Sequence, residues 1–239
     1  MSTLVLIRHG QASLAAADYD VLSPIGVQQA AALGRHLAAR REGFDHLITG
    51  PLRRQVDTMA HLRSAAADAG HPLPEAIVDE ALAEYPALEI LARFTADAAA
   101  RDPEIAALQR AFAAVQGDRR AYARAFDRLF QAMMRRWLAG DFDGQGIEGY
   151  DEFQARIDGS LARILERAGR GARIAVVTSA GPIGAAMRRA LNLAPWDGLR
   201  ASFVVANTGL TELWTRPEEL TLTSFNGLPH LDSSLVTYR

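Results

Sequence analysis

The chain has 239 residues, 49% of them hydrophobic, which is enough for one large domain or two small ones with a well-buried core, and one domain is the expectation. A formal net charge of −2 gives no global positive field for nucleic acid, and the absence of cysteine removes disulfides, thiolate metal sites and cysteine nucleophiles. No stretch approaches the roughly 20 apolar residues of a spanning helix and no basic-then-apolar leader opens the chain, so a soluble cytoplasmic protein without membrane partners is expected.

Apolar runs of strand length alternate with helix-period segments, which predicts an α/β fold of three layers, α/β/α, around a mainly parallel sheet. Leu4–Ile7 forms the first strand and delivers Arg8-His9-Gly10-Gln11 at its exit. A histidine nitrogen is a nucleophile at neutral pH once a hydrogen bond fixes its tautomer, and a neighbouring arginine offers forked donors that match phosphoryl oxygens. Ser23-Pro24 caps a helix with apolar positions Val27, Ala30, Ala31, Gly34, Leu37 and Ala38. Phe44–Thr49 is a second strand, and Gly50-Pro51 opens a helix whose first turn carries Arg53 and Arg54. A cation there opposes the helix dipole, an arrangement that makes sense when an anion joins it. Ala76–Val78 reads as a short edge strand, with Glu80 and Glu84 following it as candidate carboxylates.

Ala87 to Gly140 looks helical throughout, giving a helical insertion at about 87–148 within a single domain spanning residues 1–239. The stripe Tyr122, Phe126, Leu129, Phe130, Met133 and Trp137 reads as packing against the sheet domain. Asp141, Asp143, Gly146 and Glu152 fall on calcium-loop positions, but Gln145 and Glu148 break that pattern, and a glycine-rich turn before a helix at Tyr150–Ala168 suffices. Arg173–Val177 is a further strand, followed by the small-residue loop Thr178-Ser179-Ala180-Gly181-Pro182 and a helix from Ile183 to Leu191. Free amides at such a helix start favour an anion, and ligands of open parallel sheets gather outside the strands' carboxyl ends. Phe203–Ala206, Leu210–Trp214 and Leu220–Phe225 read as strands, whereas His36, His46, His61 and His71 read as surface or structural.

Together these segments resemble the histidine phosphatase superfamily, the phosphoglycerate mutase-like proteins. The resemblance rests on Leu-Ile-Arg8-His9-Gly10-Gln11, on Leu22 to Ala30 with its Ser23-Pro24-Ile25-Gly26 core, on Pro51-Leu52-Arg53-Arg54 with Thr58, and on Gly149 to Arg156. It implies that His9 becomes phosphorylated, that Arg8 and Arg54 clamp the phosphoryl oxygens, and that Glu84 rather than Glu80 protonates the leaving alcohol. It implies neither metal nor cofactor, because paired arginines neutralise the transferring group. The ligand would be a small phosphorylated substrate or inorganic phosphate, bound also by Gln11, Ser179 and the amides of Ala180 and Gly181, and a homo-oligomer is compatible with the sequence. Where the family reads Ser-His-Gly-Gly, this chain reads Thr178-Ser179-Ala180-Gly181, so serine stands in the place of a second histidine.

That replacement leaves a phosphate-binding or regulatory module with weakened catalysis as the alternative to a phosphatase. A mutase fits less well, since the family's mutases follow Arg-His-Gly with Glu and a Ser-x-Trp-Asn stretch, and Gln11-Ala12-Ser13-Leu14 follows here. A serine hydrolase built on Ser179 would need glycine two residues earlier, where Val177 stands.

Overall fold

A computed structural model describes residues 1–13, 20–216 and 219–238. Leu14, part of the segment after the Arg-His-Gly motif, lies outside the described residues. In chain order the elements are β1 (Ser2–Arg8), α1 (Pro24–Arg40), β2 (His46–Thr49), α2 (Arg53–Asp68), β3 (Ala76–Val78), α3 (Ala87–Arg101), α4 (Pro103–Ala113) and α5 (Arg119–Leu138). They continue with α6 (Tyr150–Ala168), β4 (Arg173–Thr178), α7 (Ala180–Leu191), α8 (Pro195–Ser202), β5 (Leu210–Arg216) and β6 (Glu219–Gly227). The six strands form one sheet in the order β3-β2-β4-β1-β5-β6, flanked by helices in a three-layer α/β arrangement. Pairs β3–β2, β2–β4 and β4–β1 are parallel, while β5 and β6 run antiparallel, so the sheet is mostly parallel as expected.

Leu4, Val5, Leu6 and Ile7 are each at most 2% exposed, which is why the central strand reads as an unbroken apolar run rather than an alternation. Val5 and Ile7 join Leu33, Leu37, Met59, Leu62, Ala175 and Val177 in one cluster under α1 and α2. Ser23 accepts the Gly26 N–H at 3.1 Å and Pro24 fills the first position of α1, as the sequence indicates.

The chain divides into two compact units. Residues Met1–Glu84 with Arg156–Arg239 carry the sheet, and Tyr85–Ala155 form a helical unit. Within the helical unit the expected continuous helix is three helices. Asp102 caps α4 by accepting the Glu104 N–H, with Pro103 behind it, and Gly117 at φ 72° precedes Asp118, which caps α5. Trp137 stacks on Tyr85 at 5.0 Å between ring centroids and meets Tyr150 and Phe153, while Phe112 meets Tyr122 and Phe126, so these rings of the stripe find aromatic partners within the helical unit. Glu152 accepts the Gly149 N–H at 2.9 Å, and its carboxylate therefore caps α6.

Two further expectations are corrected. Phe203–Ala206 is not a strand but the turn that follows α8, an unforeseen helix started by Pro195. Its backbone groups bond elsewhere: the Val205 carbonyl accepts from the Arg8 guanidinium, Ala206 N–H donates to Asn226 Oδ1 and Gly209 N–H donates to the Ala206 carbonyl. The helix expected from Ile183 starts instead at Ala180, with Pro182 tolerated in the first turn, where its missing N–H costs nothing. Among the described residues no helix is long and apolar enough to cross a membrane.

His230, in the segment after β6, is pushed down to about 4 by burial and by His36, whose ring lies 6.2 Å away. It therefore stays neutral in the fold while the unfolded chain takes up a proton near pH 6.5, so stability is lost as pH falls from about 6.5 towards 4 and is unaffected above that window. We expect the melting temperature to drop across this window and the drop to be shallower in His230→Gln; an unchanged slope in that variant would remove His230 from the titration.

Candidate active site

β1 ends on Arg8 and β4 on Thr178, paired in register, so the chain leaves two adjacent parallel strands at one point. His9 follows directly, with its N–H donating to the Thr178 carbonyl at 2.8 Å. Gly10 can pass here because it has no Cβ: one would meet the Gly26 carbonyl oxygen at 2.5 Å, and a Cβ on Gly26 would meet the Gln11 carbonyl oxygen at 2.2 Å. The two glycines let the motif lie flat against the start of α1. Thr58 ties the same loop to α2, accepting the Gly10 N–H at 2.9 Å and donating to the Arg54 carbonyl at 2.6 Å.

The His9 ring is buried, and its tautomer follows from its two partners. Nδ1 lies 2.7 Å from the Gly10 carbonyl, which can only accept, so Nδ1 carries the proton. Nε2 in turn accepts from Arg54 Nε–H at 3.1 Å and holds the lone pair. Burial, then Arg8, then Arg54 hold the imidazole well below its usual pKa, against a smaller opposing effect of the Gly10 hydrogen bond.

Arg54 is 8% exposed and Arg8 9%, so each cation needs compensation. Arg54 Nη1 pairs with Asp20 Oδ1 at 2.5 Å, and the other oxygen of Asp20 accepts the Arg53 N–H at 2.8 Å. The anion that a cation at the start of α2 calls for is thus a side chain of this protein. Arg8 Nη1 donates to the carbonyls of Val205 and, at 2.7 Å, Tyr238. Below the pair, Asn207 Nδ2 donates to the His9 carbonyl at 3.0 Å, and Thr208 N–H donates to the carbonyls of Arg8 at 3.0 Å and His9 at 3.4 Å. Thr208 does so at φ 55°, a left-handed conformation that a β-branched residue adopts only under constraint.

The structure brings Arg8, His9 and Arg54 together and sets Ser179 one residue beyond the end of β4, fully buried. Glu84 is half-buried and its Oε2 accepts the Gly181 N–H at 3.2 Å, at the N-terminus of α7, whereas Glu80 is exposed. The Gly181 amide is therefore engaged by Glu84. Gln11 borders the site through its side-chain Oε1, which accepts from the Ser23 hydroxyl at 2.8 Å, and through its N–H, which donates to Gln29 Oε1 at 2.9 Å. Asp20, Asn207 and Thr208 escaped the sequence reading. Only Asp20 had a signal there, the anion that Arg54 requires.

A model of the histidine phosphatase superfamily (branch 1) matches residues 4–134 and 110–227, and the chain belongs to that superfamily. Among solved structures it is similar to a mutant phosphoserine phosphatase from Entamoeba histolytica in complex with phosphoserine, at 22% identity and TM-score 0.62 over 97% of this chain and 100% of that one. It is similar also to a mycobacterial glucosyl-3-phosphoglycerate phosphatase in complex with inorganic phosphate, at 19% identity and TM-score 0.60 over 96% and 99%. A third similar structure is YhfR of Bacillus stearothermophilus, at 18% identity and TM-score 0.62 over 96% and 99%. At these identities the likeness is one of fold.

Asp20 puts a negative charge where an incoming anion would meet Arg54 and the first amides of α2. Asp20→Asn keeps a hydrogen-bond acceptor for those amides and removes the repulsion, so inorganic phosphate should bind several-fold more tightly by calorimetry at low salt. Equal or weaker binding would mean that the carboxylate mainly holds Arg54 in place.

Proposed function

We propose that this member of the superfamily is a metal-independent phosphomonoesterase that works through a phosphohistidine at His9. The observation that carries the reading is the hydrogen bond from Arg54 Nε–H to His9 Nε2, because it assigns the lone pair to the nitrogen that faces a cation. A phosphoryl group entering between them gives its phosphorus to Nε2 and its oxygens to the guanidinium. The complexes of the similar structures with phosphoserine and inorganic phosphate support a small phosphorylated ligand.

In the first step the Nε2–P bond forms as the P–O bond to the substrate alcohol breaks, and Glu84 delivers the proton the departing oxygen needs. Arg8 and Arg54 neutralise charge on the phosphoryl oxygens, which is most of what phosphoryl transfer demands. In the second step water attacks phosphorus, Glu84 takes its proton, and the N–P bond breaks to release phosphate and neutral His9. The Gly181 N–H, donating to Glu84 Oε2 at 3.2 Å, holds this carboxylate at the start of α7. The half-buried position of Glu84, against the exposure of Glu80, favours Glu84 for this role.

Phosphate release from p-nitrophenyl phosphate in EDTA should persist in the wild type and fall at least about a thousandfold in His9→Ala, with acid-labile labelling lost in parallel. Activity surviving that substitution would overturn the mechanism, and inertness of both proteins would leave anion binding alone. Because burial and two arginines lower the His9 pKa, the nucleophile stays unprotonated as pH falls through 6.5, so kcat/KM should show no acid limb at the usual imidazole pKa. A limb at that pH, absent when a ligand-bound His9 is titrated by NMR, would show that the ring is open to water in solution.

A further inference from the structure

Gln55 has no part in the steps above, yet its carboxamide is fully committed at their centre. It is fully buried in the first turn of α2. Oε1 accepts the Leu52 N–H at 3.0 Å, and Nε2 donates to the Leu82 carbonyl at 3.2 Å and to Ser179 Oγ at 2.9 Å. A Cβ on Gly50 would meet Oε1 at 2.2 Å, so the amide lies in space that the glycine leaves open. Three chain segments meet at one side chain: the start of α2, the segment leading to Glu84 and the exit of β4.

The bond to Ser179 has a directional consequence. A carboxamide nitrogen only donates, so the Ser179 oxygen accepts, and its own proton must point away from Gln55. Among the described residues no side chain or carbonyl takes that proton, although Ser179 is fully buried, where a hydroxyl proton normally finds an acceptor. Ser179 also stands next to Thr178, whose carbonyl receives the His9 N–H. A buried donor without an acceptor, one residue from the partner of the nucleophile, suits an acceptor that arrives with the ligand.

We infer that Gln55 and Ser179 act as one unit: Gln55 is a positioning residue that turns the Ser179 hydroxyl so that it donates its proton to a phosphoryl oxygen at His9. The inference rests on the phosphohistidine reading. Hydrogen bonds in series polarise one another, so the amide strengthens the hydroxyl as a donor while adding no charge beside His9. Gln55 also fills the space against Ser179, so a larger side chain at position 179 collides with it in a close-packed interior.

Three variants test this: Gln55→Leu, Ser179→His, and Gln55→Ala combined with Ser179→His, each followed by melting temperature and by p-nitrophenyl phosphate kinetics. Gln55→Leu keeps the volume and loses the donor, so kcat should fall about tenfold or more with KM within about twofold. Ser179→His alone should lower the melting temperature by roughly 4 °C or more, and adding Gln55→Ala should restore most of that loss. The double variant should also gain a kinetic ionisation near pH 6.5 that the wild type lacks. Wild-type kcat in a folded Gln55→Leu protein would overturn the donor role, and additive melting-temperature changes would overturn the packing unit. An inert wild type would bring down the phosphohistidine reading together with the donor role, and the melting temperatures would then decide the packing unit alone.

Discussion

The structure turns on the burial of two guanidinium groups beside one imidazole at the exit of the central strand. A cation out of water is costly unless a carboxylate or several oxygens surround it. Arg54 meets that need with Asp20 and Arg8 with the carbonyls of Val205 and Tyr238. The imidazole between them meets it differently, by staying neutral. Its proton goes to the Gly10 carbonyl and its lone pair faces Arg54, so the same electrostatics that make a charged His9 unfavourable keep the ring neutral with its lone pair on Nε2.

Much of the remaining sheet-bearing unit serves to hold that cluster. The parallel register of β1 and β4 fixes where His9 leaves the sheet, and the glycines at 10 and 26 let its loop rest on α1. Asn207 and Thr208 fix the carbonyls of Arg8 and His9 from below, and Thr208 does so in a conformation that costs about 1 to 3 kcal/mol for an ordinary residue. Its hydroxyl donates to the Asn207 carbonyl at 2.8 Å and receives His230 Nε2–H at 2.9 Å, so side-chain bonds hold the strained residue in place.

The parts of this arrangement written locally were legible in the sequence. Arg8-His9 at the end of an apolar run, Ser23-Pro24 before a helical period and Arg54 in a first turn each carry their meaning within a few residues. What escaped depends on partners distant in sequence. Asn207 and Gln55 are ordinary residues until the fold sets their amides against His9 and Ser179. Phe203–Ala206 has strand composition, yet its carbonyls and amides are taken by Arg8, Asn226 and Gly209, and apolar content cannot report where backbone bonds go. The helical unit was legible as helical, but its breaks at Asp102 and Asp118 depend on capping bonds that a periodicity count passes over.

One contact bears on the order of assembly. Arg8 is held by Tyr238, 230 residues further along, and the sheet-bearing unit is itself completed only after Tyr85–Ala155 has been made. At about 5 to 20 residues per second of synthesis, Arg8 waits roughly 10 to 50 s for this partner. Through that interval the growing polypeptide holds an arginine and a histidine at a strand exit without the loop that fixes them. A nascent chain that stops short of Tyr238 therefore lacks one of the carbonyls that compensate the buried Arg8 guanidinium, and the order of this cluster is set late in synthesis.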